Sequence, residues 1–198
     1  LANGTNYATP LGWLRADQAD GVLQSAGGLI IRNGGTAVAG ANLTWDNTNV
    51  LCFAADAGIC TASGEVAAGD LKVGDLVETR DAGLQAIRWI GKRRLDAAML
   101  AAHSKLRPIR IRKGALGAGR PTADLVVSPQ HRILVRSRIA RTMFGADEVL
   151  VAAKQLCQID GVDVVEELTE VTYVHFLFDD HQIVLANGAE AESLHTGT

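Results

Sequence analysis

Short runs in which apolar and charged residues alternate, each cut off by turn residues, recur from residue 52 onward and limit what this chain can fold into. Pro108-Ile109-Arg110-Ile111-Arg112 is the clearest case. A side-chain period of two puts the isoleucines on one face and the arginines on the other, the pattern of a half-buried strand. Ile87 and Trp89 alternate about Arg88 in the same way. Residues 125–127, 133–135, 171–178 and 182–186 read as further strands, with Asp179-Asp180-His181 turning between the last two. Residues 70–75 form a tight turn that feeds a strand over 76–79. Alanine and leucine predict a helix over 96–103, and a second helical turn falls at 150–156. Many short strands without long intervening helices imply an all-β domain.

At 198 residues and 47% hydrophobic, the chain can bury a core of ordinary size. Its apolar runs are short of the roughly 20 residues that a membrane-spanning helix needs, and no basic-then-apolar leader is visible. No membrane partner is expected, and the sequence fixes no location. Residues 1–51 stand apart: rich in Gly, Asn, Thr and Ala, poor in charge, they read as an upstream β-rich, flexible segment, with the main domain over 52–198. Within that segment, residues 29–32 and 36–39 flank Asn33-Gly34-Gly35, a hairpin signature.

The net charge is −3, yet fourteen of the nineteen Lys and Arg lie between Arg88 and Arg141, against only Asp96 and Asp124. A basic block can bind nucleic acid, but these arginines alternate with apolar residues and lack interleaved aromatics for base stacking. A solvated strand face is the expectation, with no nucleic-acid partner. Cysteine arithmetic excludes a complete disulfide framework, because Cys52, Cys60 and Cys157 make an odd number. None has metal-site spacing with histidines, so no metal or cofactor is expected.

Chemistry enters with Cys52-Phe53 and, far downstream, Ser128-Pro129-Gln130-His131. A thiol that attacks an amide needs a proton acceptor, and the amide nitrogen needs a proton donor because an amine leaves poorly as an anion. His131 and the Ser128 hydroxyl are the candidates. On these residues alone, a buried structural thiol and a satisfied structural histidine remain open. His175 alternates with Val174 and Phe176 and reads as structural, as does the isolated His103.

Several stretches, taken in order, resemble the Hint domain shared by hedgehog proteins and inteins, in particular its bacterial intein-like forms at the ends of large, often secreted proteins. They are Cys52-Phe53, Thr61-Ala62-Ser63-Gly64-Glu65, Leu71-Lys72-Val73-Gly74-Asp75, Ile87-Arg88-Trp89-Ile90-Gly91, Val127 to Arg132, Glu148-Val149-Leu150-Val151, and Val174 to Phe178 through His181 to Asn187-Gly188. The resemblance implies a compact, pseudo-twofold all-β Hint fold with short helical turns. It makes Cys52 the nucleophile of an N-to-S acyl shift at the Leu51-Cys52 bond. Ser128, where most relatives carry Thr, would hold the scissile amide, and His131 would protonate its nitrogen. His181 takes the place of a later family histidine. Asn187 and Cys60 are accessory candidates, although Asn187-Gly188 is also explained by a turn at positive φ.

Splicing inteins end in His-Asn, whose Asn cyclises; here Glu192-Ser193 stands at those positions, and serine has no amide nitrogen for that step. No extension of the sterol-binding kind is read here either. The resemblance therefore implies cleavage at the N-terminal side without standard splicing. The partners are the chain's own upstream polypeptide and water or a small thiol or amine, acting on a monomer. Such a domain is an enzyme only in the intramolecular sense. The alternative is a degenerate Hint domain kept as a structural or binding module of a secreted protein.

Overall fold

The computed structural model describes residues 6–9, 12–15, 31–33, 36–38, 51–136, 145 and 147–194, the first four segments as backbone only. β1 (Asn6–Thr9) pairs antiparallel with β2 (Gly12–Arg15), and β3 (Ile31–Asn33) with β4 (Thr36–Val38). The second pair is the hairpin expected around Asn33-Gly34-Gly35; the first carries no such turn signature. One compact unit of the chain runs from Leu51 to Leu194.

That unit is two antiparallel sheets. The six-stranded sheet has the order β10 (Trp89–Leu95), β16 (Val171–Leu177), β5 (Phe53–Ala54), β12 (Leu125–Val127), β11 (Ile109–Ile111) and β15 (Val162–Val164). The eight-stranded sheet runs β14 (Glu148–Ala152), β13 (Arg132–Arg136), β18 (Ala189–Glu192), β17 (Ile183–Ala186), β6 (Gly58–Thr61), β8 (Leu76–Thr79) and β9 (Gly83–Ala86), with β7 (Gly64–Ala67) attached to β6. The one α-helix among the described residues, α1 (Ala97–Ala102), starts where the Asp96 carboxylate accepts from the Met99 N–H, a side-chain N-cap. The all-β reading with short helical turns holds.

The alternation read from sequence survives in detail. On β11, Ile109 and Ile111 are buried while Arg110 points outward. One apolar cluster joins both sheets, with Phe53, Ile59, Ile111, Leu125, Ile133 and Phe176 among its members. Each such side chain contributes about 1.5–3 kcal/mol on burial.

Two expectations shift. Residues 150–152 finish β14, and helical turning begins only at Ala153, because Leu150 and Val151 are registered against Leu134 and Ile133. Strand pairing outweighs local helix propensity there. Ile87 and Arg88 lie between strands: the Ile87 N–H donates to the Asp75 carbonyl and the Arg88 N–H to that of Leu177. Among the described residues, no helix is long and apolar enough to cross a membrane.

The arginine block has its partners on the acidic stretch that follows it. Arg88 meets Asp179 at 2.7 Å, Arg110 meets Asp163 at 2.7 Å and Glu167 at 2.8 Å, and Arg136 meets Glu190 at 2.7 Å. The Arg88–Asp179 pair is exposed and adds little stability, whereas the Arg110–Asp163 and Arg136–Glu190 pairs are partly buried. Their effect is to turn a basic strand face into a charge-balanced one.

Candidate active site

The site is assembled by the shortest strand in the sheet. β5 is two residues long and lies between β12 and β16, with Phe53 opposite Val127 on one side and Val174 on the other. In antiparallel pairing, one step back along β5 faces one step forward on each neighbour. Cys52 is therefore flanked by Ser128 and His175.

The Ser128 N–H donates to the Cys52 carbonyl at 2.9 Å, and the Cys52 N–H donates to Ser128 Oγ at 3.0 Å. That second bond is made by the nitrogen of the Leu51-Cys52 amide itself. On the other side, Cys52 Sγ lies 3.4 Å from His175 Nδ1. The thiol is buried, at 1% exposure, and loss of water raises its pKa far above the ordinary thiol range. At rest, Cys52 is a neutral thiol.

His131 follows β12 through the turn Ser128-Pro129-Gln130, closed by its own N–H on the Ser128 carbonyl at 3.0 Å. The Ala153 N–H fixes the His131 carbonyl at 2.8 Å. The ring is fully buried against Phe53, with centroids 4.2 Å apart. Among the described residues, neither ring nitrogen makes a hydrogen bond of good geometry, although the backbone of Cys52 and of Glu192 lies close to the ring. Burial pulls its pKa down to about 4, against the opposing pull of the Glu192 carboxylate and the nearby backbone of Cys52 and Glu192. A buried, neutral imidazole whose nitrogens make no well-formed hydrogen bond is costly to hold in a fold.

His175 is half-buried and stacks on Trp89 at 5.0 Å between centroids. Loss of water lowers its pKa to about 4. Gly91 is registered directly opposite it on β10, and a Cβ there would overlap both His175 Nε2 and the Trp89 ring.

His181 Nε2 sits 3.1 Å from Glu192 Oε2, and the other oxygen of that buried carboxylate lies 3.5 Å from Arg132 Nε. His181 thus reaches the cluster by way of Glu192, the residue whose charge His131 feels. The neighbouring Ser193 is held by Gln182: its N–H donates to the Gln182 carbonyl at 2.8 Å, and its Oγ accepts the Gln182 N–H at 3.1 Å.

Asn187 and Cys60 are engaged elsewhere in the fold. Asn187, at φ 46°, accepts the Gly58 N–H on Oδ1 at 2.6 Å and donates from Nδ2 to the Asp124 carbonyl at 2.8 Å. Positive φ at Asn187 and Gly188 is what the Asn-Gly turn leads one to expect. Cys60 stands on the eight-stranded sheet and donates to Glu78 Oε2 at 3.0 Å, a bond that, with desolvation, pushes its pKa up to about 11. Among the described residues, no group of three or more His, Cys, Asp or Glu side chains is placed to hold a metal ion.

The structure places Cys52, Ser128 and His131 together, and it adds His175, read from sequence as structural, beside Cys52, with Gly91 opposite that ring. The alternation of β16 was readable; which face of it meets Cys52 was not, because that depends on register with a two-residue strand.

Residues 51–198 match the family model of the Hint domain. Among solved structures, the gp41-1 intein is 12% identical with a TM-score of 0.43, covering 72% of this chain and 98% of that one. The bacterial intein-like domain from Clostridium thermocellum is 13% identical with a TM-score of 0.44, covering 73% and 99%. No curated protein matches the chain. At such values the family match carries the weight.

Proposed function

The chain belongs to the Hint domain family, whose general activity is autoprocessing, and with that as premise we propose that it cleaves its own Leu51-Cys52 bond through a thioester on Cys52. One observation carries this reading: the nitrogen of that amide donates to Ser128 Oγ at 3.0 Å, in a cluster that holds the buried His131 beside the Cys52 backbone.

In the proposed step, Cys52 Sγ attacks the Leu51 carbonyl carbon and the oxygen takes up the displaced electron pair. As the tetrahedral centre collapses, the C–N bond breaks and the Leu51 acyl group remains on sulfur. Ser128 Oγ holds the amide N–H so that the nitrogen stays fixed while it changes from planar amide to amine. A neutral His131 keeps one N–H, which serves the lone pair that emerges on nitrogen. The proton lost by sulfur equals the proton gained by nitrogen, so the shift is proton-neutral. Water or a small thiol or amine then attacks the thioester and releases the upstream segment. Standard splicing does not follow, because Ser193, at the place of the family's cyclising Asn, has no amide nitrogen. Glu192 and His181 form the polar support behind His131.

The test is the intact mass of purified protein over time, with and without added thiol, beside a Cys52→Ala variant. Fragments that end at Leu51 and begin at Cys52, produced faster with thiol and absent from the variant, are expected. Cleavage at that bond in Cys52→Ala sinks the mechanism. Folded wild type that stays whole for days points instead to a binding module.

A further inference from the structure

We propose that His175, and not His131, is the group that takes the thiol proton of Cys52, held to that task by Trp89 and Gly91; the assignment rests on the self-cleavage reading above. His175 Nδ1 is 3.4 Å from Cys52 Sγ, within the range of a bond from a thiol to an imidazole nitrogen. His131 lies on the other side of the residue, against Phe53 and beside the backbone. The sheet therefore separates two tasks, with one imidazole at the sulfur and another near the nitrogen.

Three features fix the ring. His175 is in the middle of β16, where the ladder with β10 runs from Val171 to Leu177. Its face stacks on Trp89, which leaves Nδ1 directed at the sulfur. Gly91 gives the ring its room, since any Cβ at that position would occupy the space of Nε2. A ring that accepts at Nδ1 carries its own proton on Nε2.

The S–H bond breaks as the S–C bond to Leu51 forms, and the electron pair of S–H becomes the nucleophile. The proton goes to Nδ1 and makes an imidazolium. It returns to the departing nitrogen by way of water or His131, leaving both rings neutral again. The resting pair is thiol and neutral imidazole, not an ion pair, because burial disfavours charge on both partners. Of the charged or titratable groups around the ring, Arg93 on β10 and Tyr173 on β16 share its face by alternation, whereas Lys92 faces away. Tyr173 is committed to the Leu106 carbonyl at 2.8 Å, and burial raises its pKa, so it stays protonated.

The decisive experiment compares thiol-induced cleavage rates from pH 6 to pH 9 in wild type, His175→Ala and His175→Gln, with folding verified by amide NMR. Wild type is expected to vary little with pH over that range. Both variants are expected to be about 100-fold slower at pH 7, and to gain about tenfold per pH unit as hydroxide replaces the lost base. Added imidazole should rescue His175→Ala in part. A variant that cleaves at the wild-type rate with the wild-type pH profile overturns the assignment while leaving the self-cleavage reading intact. A second readout does not need turnover: 15N NMR of the intact protein should show His175 as the Nε2–H tautomer, with an Nδ1 shift that moves in Cys52→Ala. An Nδ1–H tautomer refutes the proposal whether or not the wild type cleaves. Wild type that never cleaves, with the Nε2–H tautomer present, supports the thiol–imidazole pair and refutes the self-cleavage reading alone.

Discussion

Asn187→Ala should cost stability and leave the chemistry of each folded molecule alone. The side chain removes two partners at once: the Gly58 N–H loses its acceptor at 2.6 Å and the Asp124 carbonyl its donor at 2.8 Å. Gly58 is buried, so its orphaned donor costs about 1–3 kcal/mol. Asp124 is exposed and water can replace Asn187 there, so that loss is about 0.5 kcal/mol. Alanine at φ 46° adds about 1 kcal/mol of backbone strain that asparagine tolerates better. Together the penalty is about 3 kcal/mol, which lowers the melting temperature of a unit this size by about 6–12 °C. Asn187→Gly separates the contributions, since glycine relieves the strain but not the lost bonds, and should recover about 1 kcal/mol. The assay is thermal and urea unfolding at pH 7 paired with cleavage rates corrected for the folded fraction. A melting temperature unchanged by Asn187→Ala, or a corrected cleavage rate reduced a hundredfold, refutes the reading of Asn187 as a structural clamp.

Three further outcomes follow from the site. Both His131 and His175 have folded-state pKa values near 4, below the ordinary histidine value of 6.5. Between those values the unfolded chain binds more protons than the folded one, so stability is full above about pH 6.5 and falls as pH drops toward 4; urea unfolding of His131→Gln should show a shallower fall. Gly91→Ala should slow cleavage by about 100-fold, because displacing a reacting group by about 1 Å costs that much, while overpacking costs about 1–3 kcal/mol of stability in urea unfolding. Cys60→Ala should cleave at the wild-type rate in the mass assay, since its thiol is committed to Glu78 on the other sheet.

Much of the fold was legible because it rests on alternation, which any stretch of sequence displays locally. β11 buries the residues its pattern nominates. Where local preference and pairing disagree, as at Leu150 to Ala152, the sequence misleads, because the deciding neighbour on β13 is fixed by tertiary pairing. The site divides along the same line. Ser128 and His131 sit three residues apart in a turn and announce themselves as a motif. His175 looks like any residue of a buried strand until its register against Cys52 is known. The arginine block is a third case: its meaning lies in carboxylates such as Asp163 and Glu167, which meet it only in three dimensions.

The brevity of β5 also sets a clock. Cys52 takes its hydrogen-bonding hydroxyl from 76 positions downstream and its imidazole neighbour from 123 downstream. A ribosome makes the cysteine well before the strand bearing His175, so on the self-cleavage reading the bond to be cut emerges long before the means of cutting it. Until β12 and β16 close around those two residues, Leu51-Cys52 is an ordinary peptide bond in an unfinished chain. On that reading the upstream segment stays attached for the whole synthesis time of the unit.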